Sequence, residues 1–209
     1  MWLDVFDRNP YGTNCWLLAA DGSDEAIVVD PGFEPERVRG MLESAGKTAG
    51  AVLLTHAHVD HAEAAGDFAG DDVPVFVHPA DATAFDDPVG WGAGFVNPLR
   101  PVKDLRTCVD GQVLTIAGLN ITVAHTPGHT PGHCCFDVAE ADALLLSGDL
   151  VFAGAIGRSD FANSSPPHMD RSLRWFLTLP DDRDVFPGHG PRTTVGRERS
   201  SNPFLRELA

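Results

Sequence analysis

THAHVDHAEAAG, residues 55–66, brings three histidines and an aspartate together directly after an apolar run. In an extended segment, residues i and i+2 project to the same side, so His56 and His58 can bind one ion together. If a helix begins directly after His58, Asp60 and His61 lie in its first turn and can face a second ion. The segment therefore predicts a strand that ends at a metal site.

Histidines and an aspartate recur where other predicted strands end. His125, His129 and His133 lie in AHTPGHTPGH, His189 lies in FPGHGP, and Asp149 ends LLLSGD. Glycine or proline flanks His129 and His189, so tight loops can turn these rings away from the core. A single loop histidine is usually exposed or structural, but five histidines and two aspartates at strand ends match the needs of two adjacent metal sites.

Two cations held about 3.5–4 Å apart repel each other, so an anion is needed between them. Asp149 can bridge the two ions, and a hydroxide can share that position. Asp60 and Asp149 are therefore the candidate catalytic carboxylates.

The composition restricts the classes of partner. A formal charge of −15 over 209 residues repels a phosphate backbone, so nucleic acid is not expected as a partner. No apolar run approaches the ~20 residues needed to cross a bilayer and the N-terminus lacks a signal-peptide pattern, so we expect a cytoplasmic protein without a membrane partner. The four cysteines have no C-x-x-C spacing and are expected as buried free thiols.

Short apolar runs alternate with helix-like patterns along the chain. Asp21 and Gly22 supply the turn of a predicted hairpin, and Gly46 ends a predicted amphipathic helix over residues 34–45. Strands in two clusters, each with helices, indicate two sheets packed face to face with helices outside, an α/β sandwich. The predicted strands are residues 15–20, 26–30, 50–55, 73–77, 112–117, 120–125, 134–138, 143–146 and 184–186, the other predicted helices are 62–68, 79–85 and 169–179, and residues 86–101 are predicted as a long loop.

Four motifs carry a resemblance to a known family: THAHVDH (55–61), TPGHTPGH (126–133), SGD (147–149) and FPGHG (186–190). Together, and in this order, they resemble the metallo-β-lactamase superfamily. The resemblance implies the four-layer αββα sandwich of that superfamily, as a single domain over residues 1–209.

The resemblance also implies two divalent ions, zinc in the first place and iron or manganese as alternatives. The implied ligands are His56, His58 and His129 for the first ion, Asp60, His61 and His189 for the second, and Asp149 as the bridge. His125 and His133 match no ligand position and are better explained as structural histidines or as residues that orient a ligand. Asp30 in VVDPG resembles the aspartate that orients a ligand in the family, although an ordinary turn aspartate explains it equally well.

Within the superfamily, the chain most resembles the short form of the glyoxalase II group, the hydroxyacylglutathione hydrolases, which lacks a helical C-terminal domain. The implied substrate is a small-molecule acyl thioester, S-2-hydroxyacylglutathione or a related thiol conjugate, attacked by a hydroxide held between the ions. Arg158 in AIGRSDF matches a basic residue that meets the carboxylate of the thiol carrier, with a surface ion pair as the alternative. Pro191 stands where the full-length enzymes carry a tyrosine, so the thiol carrier is left open.

Other functions fit parts of the same pattern. Persulfide dioxygenases resemble these motifs and use one Fe(II), for which His56, His129 and Asp149 would be the ligands. A nuclease of this fold is disfavoured by the acidic charge, and a non-enzymatic metal module by the complete set of ligands. The sequence makes no prediction of the oligomeric state.

Overall fold

The computed structural model describes residues 1–68, 73–87, 91, 99–138 and 144–208. Two six-stranded sheets form the framework of this part of the chain. In spatial order, the strands of the first sheet are β1 (Trp2–Phe6), β2 (Cys15–Ala19), β3 (Glu25–Val29), β4 (Thr48–Leu53), β5 (Val75–Val77) and β6 (Leu105–Thr107). The strands β1, β2 and β3 are antiparallel neighbours, and β3 to β6 run parallel.

The later part of the chain forms the second sheet. In chain order, its strands are β7 (Val113–Ile116), β8 (Leu119–His125), β9 (Cys134–Val138), β10 (Leu144–Gly148), β13 (Asp184–Pro187) and β14 (Thr193–Thr194). Between β10 and β13, a separate hairpin contains β11 (Val151–Phe152) and β12 (Ala155–Ile156). The spatial order is β14-β13-β10-β9-β8-β7, with β10 and β13 parallel, so these two strands end at the same edge.

The two sheets bury a shared core between them. On β10, Leu144 and Leu146 join the cluster that contains Leu17 of β2, whereas Leu145 joins a second cluster on the outer face. This alternation follows from the two-residue period of a strand, which points successive side chains to opposite faces. The continuous apolar run is therefore a strand that is buried on both faces.

Helices cover the outer faces. The first sheet carries α1 (Pro35–Ser44), α2 (Val59–Ala62), α3 (Ala65–Phe68) and α4 (Pro79–Ala82), and the second carries α5 (Pro166–Phe176), α6 (Val195–Ser201) and α7 (Pro203–Arg206). The outer cluster joins Leu145 to Met169, Leu173 and Phe176 of α5. The predicted four-layer αββα sandwich is confirmed. Of the helices in the described residues, none combines the length and apolarity needed to cross a membrane.

The structure refines several element boundaries. The hairpin turns at Asp21 and Gly22 as predicted, but the single helix predicted over residues 62–68 is divided between α2 and α3. The reason is that the backbone N–H of Ala64 donates to the carbonyl of Pro31 and not to a helical carbonyl. Strands β1, β6, β11, β12 and β14 and helices α6 and α7 were not predicted, and most of the predicted loop 86–101 lies outside the described residues.

Candidate metal centre

Every predicted ligand lies in a segment that follows a strand: His56 and His58 come after β4, with Asp60 and His61 next in α2, His129 lies in the loop after β8, Asp149 directly follows β10, and His189 lies shortly after β13. Because these strand ends meet at one edge of the sandwich, the donor atoms form three overlapping groups, within each of which all atoms lie within 4.8 Å of one another. The groups are His56 with His58 and His129, Asp60 with His61 and His189, and His56 with His61 and Asp149. The structure thus brings all the predicted ligands together.

The first group consists of three imidazoles. The Nδ1 of His58 lies 2.8 Å from the Nε2 of His129, and the ring of His56 lies 4.7 Å and 4.8 Å from their ring centroids. The Nε2 of His56 is buried and has no hydrogen-bond partner in the described part of the chain. Burial, followed by the neighbouring imidazoles, holds the pKa of His56 well below its usual value. The ring is therefore neutral, which is the form that binds a metal.

The second group combines a carboxylate with two imidazoles. The Oδ2 of Asp60 lies 3.2 Å from the Nε2 of His189 and 3.5 Å from the Nε2 of His61. Burial alone would lower the pKa of His61, but the carboxylates of Asp60, Asp149 and Asp30 outweigh it and raise this pKa to about 10. A positive charge is therefore stabilised here, and a cation can take the place of the proton.

Asp149 faces both groups. Its Oδ2 lies 3.4 Å from the Nε2 of His129 and 3.7 Å from the Nε2 of His189, and its Oδ1 lies 3.4 Å from the Nε2 of His61. Among the described residues, Oδ1 has no hydrogen-bond partner. A Cβ on Gly188 would lie 2.3 Å from Oδ1, so only glycine allows this close approach of the backbone.

The donors fit a pair of divalent ions. Imidazoles with carboxylates are typical ligands of zinc, iron and manganese, whereas calcium prefers an all-oxygen set. The Nε2 of His56 and the Oδ1 of Asp149 are buried polar atoms whose lone pairs a bound ion would satisfy. The chemistry of the donors and the positions of these two atoms therefore agree with a metal centre.

Asp30 lies directly behind the ligands. Its Oδ1 accepts the backbone N–H of Thr55, and its Oδ2 accepts the Thr55 hydroxyl at 2.7 Å and lies 3.0 Å from the Nδ1 of His61. The Thr55 oxygen lies 3.0 Å from the Nδ1 of His56, so a hydroxyl that donates to Asp30 accepts from His56. Asp30 is positioned to orient one histidine from each group, unlike an ordinary exposed turn aspartate.

The two histidines without a predicted ligand position hold neighbouring loops. The Nε2 of His133 accepts the backbone N–H of Asp149 at 3.0 Å, which fixes the start of the loop after β10. His125 stacks on His78 with ring centroids 3.9 Å apart, and its Nε2 donates to the carbonyl of Pro131. Neither histidine contributes to the three donor groups.

Arg158 lies at the rim of the site, in the loop after β12. Its guanidinium forms an ion pair with Asp160 at 2.9 Å and lies over the ring of Phe161, with two thirds of the side chain exposed. Its carbonyl oxygen accepts a hydrogen bond from the Nδ1 of His129 at 2.7 Å. The backbone of Arg158 thus orients a predicted ligand, and a role of its side chain in substrate binding remains a prediction.

Three neighbours of the site were not predicted. The hydroxyl of Thr13 donates to the Oδ2 of Asp60 at 3.0 Å. The rings of Phe161 and Trp91 lie 5.2 Å and 5.5 Å from the ring of His58 and form an apolar border beside it. Thr13 and Trp91 lie in no motif that would mark them, whereas Phe161 ends the AIGRSDF segment, in which the sequence analysis singled out Arg158 alone.

The cysteines are buried free thiols, as predicted. Burial raises the pKa of Cys135 and of Cys108 to about 12, and it holds the pKa of Cys134 well above its usual value. A thiolate is the nucleophilic form of cysteine, so these residues are unsuited to covalent catalysis.

The sequence model of the metallo-beta-lactamase superfamily matches residues 8–189, so the chain belongs to this superfamily. Probable metallo-hydrolase YqgX of Bacillus subtilis is 34% identical over 200 residues, which cover 94% of this chain and 93% of that protein. Hydroxyacylglutathione hydrolase GloC of Haemophilus influenzae is 33% identical over 218 residues, which cover 98% of each.

Solved structures of the same fold agree. BLEG-1 B3 metallo-beta-lactamase has a TM-score of 0.87 and 33% identity, covering 98% of this chain and 99% of that one. TTHA1623 in a di-iron-bound form has a TM-score of 0.81 and 36% identity, covering 97% and 100%. ETHE1 from Myxococcus xanthus has a TM-score of 0.80 and 25% identity, covering 100% and 88%. These relatives support a metal-dependent enzyme of the metallo-hydrolase superfamily.

Proposed function

We propose that the protein is a metal-dependent hydrolase that cleaves a small-molecule acyl thioester of the S-2-hydroxyacylglutathione type. The observation that carries the proposal is the position of Asp149, whose carboxylate lies within 3.4–3.7 Å of histidines from both donor groups. Two adjacent cations need such a shared anion. The similarity to hydroxyacylglutathione hydrolase GloC supports the substrate class.

Each residue of the centre has a part in this proposal. His56, His58 and His129 would hold one ion, Asp60, His61 and His189 the other, and Asp149 both. When bound, two divalent ions, expected to be zinc, supply a water of lowered pKa and stabilise the negative charge that develops on the thioester oxygen. Asp30 and the Arg158 carbonyl orient the ligand rings, while Phe161 and Trp91 limit the access of bulk water beside His58.

The leaving group explains why few further residues are needed. A free thiol has a pKa of about 8.5, so a thiolate can leave without a proton from a neighbouring acid. The Arg158 guanidinium, at the exposed rim, can exchange its partner Asp160 for a carboxylate of the thiol carrier. We therefore place the acyl group beside the donor groups and the carrier along the rim near Arg158.

Two parallel assays test the proposal. Zinc-loaded protein should release thiol from S-lactoylglutathione without consuming oxygen, and this activity should vanish on chelation and return with zinc. The same preparation should leave glutathione persulfide unchanged in air. Oxygen consumption with sulfite formation by protein that holds one iron, without thioester hydrolysis, would instead establish the persulfide dioxygenase alternative.

A further inference from the structure

Asp81 is a fully buried carboxylate that the sequence motifs do not include. It lies in the first turn of α4, which begins where Pro79 follows the end of β5. An ionised carboxylate is rarely buried unless several donors satisfy its oxygens, so its partners identify what it holds in place.

Apart from the Trp91 side chain, the partners of Asp81 come from two separate loops. Its Oδ2 accepts the backbone N–H of Ala57 at 3.1 Å and the hydroxyl of Thr130 at 2.7 Å, and its Oδ1 accepts the backbone N–H of Gly132 at 2.7 Å. A Cβ on Gly132 would lie 2.7 Å from the carboxylate, so a glycine is needed for this contact.

These two loops carry the whole first donor group. Ala57 separates His56 from His58, so fixing its peptide sets the direction in which both rings leave the backbone. Thr130 directly follows His129. By contrast, none of the hydrogen bonds that Asp81 makes in the described part of the chain reaches Asp60, His61 or His189.

We infer that Asp81 is a positioning residue for the first metal site, because it ties the loop of His56 and His58 to the loop of His129. The inference rests on the proposed metal centre but not on the identity of the substrate. Thr13 offers the matching contrast, since its hydroxyl donates to Asp60 of the second donor group. Substitution of Asp81 should therefore weaken the first site, and substitution of Thr13 the second.

Zinc affinity in single-site backgrounds tests this inference. In the background His189→Ala, which retains the first group, Asp81→Asn should lower zinc affinity by about 10–100-fold, the usual effect of losing a residue that orients ligands. The amide keeps the size of the carboxylate but points an N–H₂ group at one of the donors. Thr13→Val should change the affinity by less than about threefold in this background. In the background His58→Ala, which retains the second group, Thr13→Val should lower zinc affinity by about 10–100-fold and Asp81→Asn by less than about threefold.

Competition with a chromophoric chelator measures these affinities, and thermal unfolding of the metal-free variants checks that each is folded. Leu173→Ala, which destabilises the outer cluster and removes none of the side-chain hydrogen bonds of Asp81 or Thr13, should leave both affinities unchanged. If Asp81→Asn does not fold, the milder Thr130→Val should still weaken only the first site. Unchanged affinity in the His189→Ala background, or equal losses in both backgrounds, would overturn the inference. Failure of thioester hydrolysis with the affinity pattern intact would count against the proposed function alone.

Discussion

The carboxylates of Asp149 and Asp30 are suited to different tasks: one to binding ions, the other to orienting the residues that bind them. Asp149 lies against histidines of both donor groups, with one oxygen left without a hydrogen-bond partner in the described residues. Asp30 accepts hydrogen bonds from Thr55 and lies against His61, so its oxygens are engaged by the protein. Asp149 is therefore suited to bind ions, and Asp30 to orient the residues that bind them.

Asp149→Ala should weaken both metal sites, because Asp149 is the carboxylate proposed to bridge the two ions. We expect zinc affinity to fall by more than about 100-fold at each site, exceeding the loss from an orienting residue. His61→Ala should chiefly affect the second site. Metal content after dialysis measures both effects, and an Asp149→Ala protein that keeps two tightly bound ions with full turnover would show that Asp149 is not the bridge.

Arg158→Ala should raise KM for thioesters with a carboxylate on the thiol carrier and leave kcat unchanged, since the guanidinium pairs with Asp160 and lies over Phe161, neither of which belongs to a donor group. The rise should not exceed about fivefold, the range expected of an exposed ion pair. Arg158→Lys should recover part of the effect, because lysine keeps the charge but loses the planar fork. Steady-state kinetics on thioesters with and without that carboxylate provide the comparison. An equal KM for the two substrates in the parent protein would show that Arg158 does not bind the carboxylate of the thiol carrier.

At the scale of elements, α6 fixes the hairpin that leads to the rim of the site. The buried Glu198 accepts the backbone N–H of Gly154 at 2.8 Å and the hydroxyl of Thr193 at 2.5 Å. Asn202 donates to the carbonyl of Ala155 and to Glu198. These bonds hold β11 and β12, from which the chain continues to Arg158, so the helices of the second sheet set the position of the rim.

Glu198→Ala should destabilise the protein, because it removes the acceptor of two buried side-chain donors, those of Thr193 and Asn202, and of the Gly154 backbone N–H. We expect a loss of about 2–4 kcal/mol in the free energy of unfolding, from the cost of unsatisfied buried groups. Denaturant unfolding measures it, with the exposed Glu207→Ala as the control that should change by less than about 0.5 kcal/mol. A loss as small as that of the control would show that water replaces these hydrogen bonds.

The sequence predicted the elements whose signal is local. Long apolar runs such as β10 and the hairpin turn at Asp21 and Gly22 were found because burial and turn chemistry act on neighbouring residues. Strand β1 was missed because Asp4 interrupts a short apolar pattern, and β6 because Leu105 is the single apolar residue of its Leu-Arg-Thr sequence.

In the site, too, the residues with a local sequence signal were the ones predicted. The predicted ligands lie in motifs and converge in the structure, whereas Asp81 had no signal. An aspartate in the first turn of a short helix looks like an ordinary exposed residue, and only the tertiary fold brings the loops of Ala57 and Gly132 against it. Residues that position ligands are thus harder to predict than the ligands.

At the scale of the whole molecule, the metal centre is a place where positive charge is stabilised within an acidic protein. The chain carries a formal charge of −15, and three carboxylates surround His61. In the metal-free protein, a proton on His61 supplies the compensating charge. Metal binding and protonation therefore compete at the second donor group.

Zinc affinity of the second site should rise with pH. The pKa of His61 is raised from its ordinary 6.5 to about 10. Between these two pH values, the folded metal-free protein therefore keeps a proton that the unfolded chain has lost. That contribution to stability is complete below pH 6.5 and disappears as the pH rises through about 10. A bound ion displaces the proton, so affinity should increase by up to about tenfold per pH unit above neutrality.

Chelator competition at pH 7, 8 and 9 in the His58→Ala background measures this dependence. The first site, isolated by His189→Ala, is the control. Burial and neighbouring imidazoles lower the pKa of His56, which is already neutral at pH 7, so the affinity of this site should depend less on pH. An affinity of the second site that stays constant from pH 7 to 9 would contradict the competition between proton and metal.

We propose that two adjacent ions, held by Asp149 and the six other ligands around it, hydrolyse a thioester. Metal-free protein should be reconstituted with increasing zinc while bound metal and S-lactoylglutathione turnover are measured on the same samples. Turnover should rise until about two ions are bound per chain and then stay constant. A plateau of full activity at one ion per chain, or two bound ions without any thioester hydrolysis, would contradict it.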